Sequence, residues 1–174
     1  RVVVYTNYPE ARLLLNGKQA GETRAYNNQT GIISRDIPFT PGKLEAVGIR
    51  NGREAARHTL ATSKHPYAIR ARVLNPVVAR DKGVTHIEIR IMDEDGNPVF
   101  LSDNEITCTV EGPARLLGLE ASDPRDKGDY TDHVQRVYQG KMLAHIQATG
   151  EQGTARIRFT SPWLQPAVVE VRME

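Results

Sequence analysis

A two-residue alternation of apolar and polar side chains runs through most of this chain, and it constrains the fold more than any other feature. Thr85 to Ile91 sets Ile87, Ile89 and Ile91 against His86, Glu88 and Arg90. Thr154 to Thr160 sets Ala155, Ile157 and Phe159 against Arg156 and Arg158. Successive side chains of an extended strand point to opposite faces, so this period describes strands with one buried face. The β-branched content of both segments favours extended backbone. No stretch carries the 3.6-residue repeat of an amphipathic helix. The sequence therefore predicts an all-β fold.

Turn signals cut these strands short. Asn16-Gly17 and Asn51-Gly52 are predicted as two-residue hairpin turns, because both residue types accept positive φ. Asp95-Gly96, between Ile91 and Val99, is a third hairpin signal, and Pro41-Gly42, Gly112-Pro113 and Gly140 punctuate further strands. The 14 Gly and 10 Pro among 174 residues are close to ordinary usage, so they mark turns and not low-complexity disorder. Short strands closing at this spacing indicate β-sandwiches.

Charge divides the chain in two. Residues 1–66 carry 10 Lys/Arg against 5 Asp/Glu, whereas residues 67–174 carry 13 against 16. The balance changes near Ser63-Lys64-His65-Pro66, where a proline interrupts the pattern, and the predicted domains are 1–66 and 67–174. The first is close to the lower size limit for a stable core, so it leans on a neighbour or lacks a leading strand. The chain opens on Arg1 inside a strand pattern and without a starting Met, which is expected of a piece of something longer.

Several function classes drop out. No uninterrupted apolar run, Val2–Val4, Leu13–Leu15 and Pro76–Ala79 among them, exceeds four residues, far below the ~20 residues of a membrane-spanning helix. No Lys/Arg block of the kind that binds nucleic acid is present. The single Cys108 has no partner for an internal disulfide, and with five scattered His it gives no zinc pattern. Its place in Ile106-Thr107-Cys108-Thr109-Val110 predicts a buried, inert thiol. No His is paired with a Ser or Cys in a known nucleophile motif.

Two loop regions are candidate sites. In Asp123-Pro-Arg-Asp126-Lys-Gly-Asp129-Tyr-Thr-Asp132, carboxylates recur every three residues, and Asp123, Asp126 and Asp129 are candidate oxygen ligands for Ca²⁺. The competing reading is a solvated loop whose Asp side chains cap turns, with Arg125 and Lys127 weakening the field. Asp93-Glu94-Asp95-Gly96-Asn97 begins like an EF-hand loop, yet Asn104 stands where the closing Glu is needed, so a turn is expected. Sugar binding would need exposed rings, for which Trp163 in Ser161-Pro162-Trp163-Leu164 and Tyr130 in the acidic loop are the candidates. The alternative for Trp163 is to plug the end of a sandwich or dock a neighbouring domain.

The stretches Val4 to Gly21 (VYTNYPEARLLLNGKQAG) and Phe39 to Glu54 (FTPGKLEAVGIRNGRE) resemble the β-sandwich module that follows the catalytic barrel in bacterial glycoside hydrolase family 2 enzymes. Tyr5, Asn7, Leu15, Asn16, Gly17, Lys18, Gly21, Pro41, Gly42, Leu44, Gly48, Asn51 and Gly52 carry the likeness. Ile87 to Val99, Thr109 to Glu120 and the turn Tyr138-Gln139-Gly140-Lys141 resemble the immunoglobulin-like module that ends β-galactosidase-like members of Bacteroides type. One departure is Glu120-Ala121-Ser122-Asp123-Pro124, where many relatives carry Asn-Gly-Asp.

The resemblance implies two tandem immunoglobulin-like β-sandwich domains from the C-terminal region of a retaining glycosidase, whose two carboxylates project from a barrel. It further implies that this chain carries no catalytic residue and serves as an accessory, domain-packing region. The expected partners are the barrel and other domains of a periplasmic or cell-surface parent, and no cofactor is expected apart from the Ca²⁺ considered above. The alternatives are a carbohydrate-binding module, which would tether the enzyme to polysaccharide, and a cell-surface adhesion repeat.

Overall fold

The computed structural model describes residues 1–174, which form two compact units, Arg1–Thr62 and Ser63–Glu174. Every regular element is a strand, as the alternation predicts. The first unit contains β1 (Val2–Val4), β2 (Glu10–Leu15), β3 (Lys18–Gln19), β4 (Arg24–Ala25), β5 (Ile33–Arg35), β6 (Lys43–Arg50) and β7 (Arg53–Ala61). Its main sheet runs β3-β2-β6-β7 with β4 also on β2, and β1 pairs with β5 as a separate ribbon.

The two Asn-Gly pairs do what their backbone chemistry allows. Asn16 and Gly17 have φ of 51° and 77°, and Asn51 and Gly52 have 53° and 73°, the left-handed pair that a two-residue hairpin needs. Asn16 also fastens the neighbouring Pro41-Gly42 turn. Its Nδ2 donates to the Pro41 carbonyl at 3.0 Å, and its Oδ1 accepts from the Lys43 N–H at 2.8 Å. At Gly48 the Tyr8 ring lies so close that a Cβ would sit 2.6 Å from it, so only glycine fits there. Tyr8 in turn carries the Arg50 guanidinium over its face at 5.0 Å. The buried apolar side chains of this unit are Ala11, Leu13, Ile33, Val47 and Ile49, while nearly all of edge strand β7 is exposed. Arg57 on β7 pairs with Glu45 at 2.7 Å and Glu54 at 2.8 Å, and such charges keep an open edge from pairing with other chains.

The second unit contains β8 (Ala68–Val73), β9 (Val77–Val78), β10 (Val84–Met92), β11 (Glu105–Glu111), β12 (Ala114–Glu120), β13 (Val134–Arg136), β14 (Lys141–Ala148), β15 (Gly153–Thr160) and β16 (Ala167–Met173). One sheet runs β12-β14-β10-β8, and the other runs β13-β11-β15-β16-β9. Ile87, Ile89 and Ile91 of β10 meet Ala155, Ile157 and Phe159 of β15 in one continuous core, which is how a β-sandwich buries the apolar half of each alternating strand. Cys108 is fully buried in that core, and burial pushes its thiol up to about 12.

The segment Ser63–Pro66 belongs to this second unit, so the unit begins before Tyr67. The reason is Asp93, a buried carboxylate that accepts the Lys64 N–H at 2.9 Å, the Asp95 N–H at 3.0 Å and the Asn97 N–H at 2.7 Å. These bonds, the Lys64 N–H foremost, hold its carboxyl down at about 2. The turn predicted at Asp95-Gly96 is present, but the hairpin after it shrinks to a single bridge between Met92 and Pro98, because the chain then leaves for the other sheet.

Candidate functional site

The loops at Phe100–Asp103 and Asp123–Asp126 face β13 and the Tyr138-Gln139 turn across a cleft of about 640 Å³. The turn is tight because Gln139 and Gly140 take φ of 52° and 70°. Each wall is locally determined. Arg125 holds both oxygens of Asp123, through Nε at 3.1 Å and Nη2 at 3.3 Å, and its guanidinium lies 5.8 Å from the Tyr138 ring centroid. This contact keeps the Asp123 carboxyl below the usual range and the Arg125 guanidinium above its own. Asp126 accepts the Gly128 N–H and the Gln135 side-chain amide, both at 2.8 Å, so the acidic loop is tied to β13. Phe100 and a nearly fully exposed Leu101 complete the rim.

This lining offers two rings, two guanidiniums, three carboxylates and two side-chain amides, which is the equipment for holding a polar ligand. The one serine of the lining, Ser102, donates its Oγ hydroxyl to Asn104 Oδ1 at 2.7 Å. The arrangement is suited to binding a polar ligand.

The three proposed calcium ligands do not converge. Asp123 is taken by Arg125, Asp126 by Gly128 and Gln135, and Asp129 by the Thr131 N–H at 2.8 Å and hydroxyl at 2.6 Å. Thr131 thereby lowers the Asp129 carboxyl from its ordinary value. Carboxylates that accept a backbone N–H two residues on are capping turns, and no three acidic, His or Cys side chains gather as a metal-holding group anywhere in the chain.

Trp163 stands in the β15–β16 connection at 99% exposure with φ of 67°, so it plugs no core. Tyr130 lies in the β12–β13 connection, half exposed, and neither ring lines the cleft. His86 and His145 are register partners on β10 and β14, and their Nδ1 atoms meet at 2.8 Å, so one ring donates and the other accepts. The sequence pattern singled out Asp123 and Asp126 but missed Phe100, Leu101 and Tyr138 as their neighbours. The adjacent apolar pair Phe100-Leu101 in a stretch otherwise reading as turn was the available signal.

Comparison with known proteins places both units. Residues 69–170 match the family described as Glycoside hydrolase family 2 C-terminal domain 5, and residues 1–56 match a domain of unknown function, DUF4982. A β-galactosidase of Bacteroides ovatus is 27% identical over 171 residues, which cover 98% of this chain and 20% of that protein. A β-glycosidase crystal structure from Bacteroides vulgatus superposes with a TM-score of 0.93 at 27% identity, covering 98% of this chain and 22% of that one. A glycosyl hydrolase family 2 member from Bacteroides cellulosilyticus has the same fold, with a TM-score of 0.91 at 20% identity and 99% and 22% coverage. This chain thus spans about one fifth of the length of the proteins it matches.

Proposed function

The chain belongs to the glycoside hydrolase family 2 C-terminal domain 5 family, and on that premise we propose that it is a non-catalytic accessory region of a β-galactosidase-like glycosidase. The observation that carries this reading is proportion. Almost the whole chain corresponds to a fifth of a named β-galactosidase, leaving most of such a protein to hold the reaction. The fold supports it, since two all-β units give rigid faces and loops for packing against other domains of a parent. Purified chain should release no nitrophenol from nitrophenyl β-galactoside above a buffer blank, whereas the parent protein should. Turnover by the chain alone would end the reading.

The cleft favours one second reading, a carbohydrate-binding role. Tyr138 and Phe100 would pack on a sugar ring while Arg125, Asp123 and Gln135 take its hydroxyls. Retardation in a galactan affinity gel, lost in Tyr138→Ala and kept in Trp163→Ala, would support it; identical migration with and without galactan would remove it.

A further inference from the structure

The outer face of the β12-β14-β10-β8 sheet carries a charge arrangement that does not stabilise the chain by itself. Register places Arg70 of β8 directly opposite Arg90 of β10, and Arg90 directly opposite Lys141 of β14. Three cations thus form one row across three adjacent strands. Directly opposed like charges in a sheet destabilise it, since their Cβ atoms are only about 4.5–5.5 Å apart. The next row supplies two carboxylates, Glu88 on β10 and Glu120 on β12, against which the face sets four cations, and two arginines share Glu88: Arg72 at 2.7 Å and 3.0 Å, and Arg90 at 2.8 Å. Arg70 and Lys141 are exposed and join no ion pair. This concentration occurs in residues 67–174, whose overall balance is acidic, so it is not a by-product of a basic domain.

The same face has apolar ground between the charges. Leu143 lies opposite Glu88, and Leu74 follows Arg72 out of β8 with its N–H donating to the His86 carbonyl. Clefts of about 600 and 330 Å³ flank the Glu88–Arg90 pair, the larger reaching Pro98 and the smaller reaching Leu74 and Leu143. Neither is lined by an aromatic ring. That counts against a saccharide, whose C–H faces pack on flat rings. Guanidinium forks beside aliphatic ground suit carboxylates carried on a polypeptide.

We propose that this sheet face is a docking surface for an acidic protein segment, with apolar residues among its carboxylates, supplied by another part of the parent protein. The proposal rests on the accessory-packing reading above, and its test is separate from the turnover assay. Carboxylates would pair with Arg70, Arg90 and Lys141 and relieve their mutual repulsion, while apolar side chains would enter the two clefts. Along each strand, the cations alternate with core residues and look like ordinary solvated positions. Only the register aligns them.

The test uses the whole chain and a fluorescein-labelled peptide of repeating Glu-Glu-Leu, read by anisotropy. Binding is expected, weakening about tenfold or more in Arg90→Gln/Lys141→Gln, and falling as salt is raised. Arg156→Gln/Arg158→Gln, on the other sheet, should leave affinity within about twofold. Arg70→Gln should weaken binding while leaving the melting temperature of the free chain equal or higher, which separates docking from a structural role. No binding of the peptide, equal loss in the Arg156/Arg158 variant, or tighter binding of polygalacturonate than of the peptide would each overturn the proposal.

Discussion

The two units solve the same problem with very different resources. In Ser63–Glu174, two sheets bring alternating strands face to face, and Ile87, Ile89, Ile91, Ile106, Ile157 and Phe159 lose all contact with water. In Arg1–Thr62 the buried apolar set stops at Ala11, Leu13, Ile33, Val47 and Ile49, and the longest strand, β7, is exposed along nearly its whole length. The first unit relies instead on local devices: paired left-handed turns, the Asn16 clasp, and a tyrosine packed on a glycine. Burial grows with the area shared between layers, while turn chemistry sets where strands reverse, so similar strand patterns bury unequal amounts of apolar surface.

The comparison breaks most readily at the core. Phe159→Ala should destabilise the second unit by about 3–5 kcal/mol, and Leu13→Ala the first by about 2–4 kcal/mol. Denaturant titrations should show the Phe159 variant still folding cooperatively and the Leu13 variant losing much of the first unit's structure at low denaturant. Equal residual structure in both would mean the first unit has more reserve than its core indicates.

Gly48→Val probes the local devices. The new side chain would meet the Tyr8 ring, and a loss of about 1–3 kcal/mol is expected, measurable as a lower denaturation midpoint. Gly52→Ala, at a turn with open space around it, should cost less, through φ alone.

A smaller effect tests how the second unit's first residues are held. Asp93 binds protons more weakly folded, at about 2, than the ~3.9 of an unfolded aspartate, so its contribution is complete above that higher value. It is lost as pH falls through about 2. The melting temperature of the parent sequence should therefore exceed that of Asp93→Asn at pH 6, and the gap should narrow between about pH 4 and 2. A gap independent of pH would show that the carboxylate charge is not what holds Lys64.

The smallest shift is expected at Trp163. With its ring in water and its backbone at φ of 67°, Trp163→Gly should leave the melting temperature unchanged or slightly raised. A clear drop would mean that the ring stabilises the fold in a way its exposure does not reveal.

Much of the fold was legible in the sequence because strand alternation and Asn-Gly turns are written in neighbouring residues. Ile87, Ile89 and Ile91 face inward as the pattern requires, Cys108 is buried, and both two-residue turns have the φ values their chemistry allows. The site was legible only in fragments. Asp123 and Asp126 stood out by spacing, yet their side chains answer to Arg125, Gly128 and Gln135, and the cleft they border needs Phe100 and Tyr138 from distant segments.

What the sequence by itself determined was the period of each strand, the position of its turns and the likeness to glycoside hydrolase family 2, since all three are read within short windows of chain. Tertiary structure alone decided which strands stand side by side. That choice set Arg70, Arg90 and Lys141 in one row, let Asp93 reach back to Lys64, and left Trp163 outside the core. Register joins residues far apart in the chain, and charge or burial acquires its energetic meaning only once those neighbours are fixed.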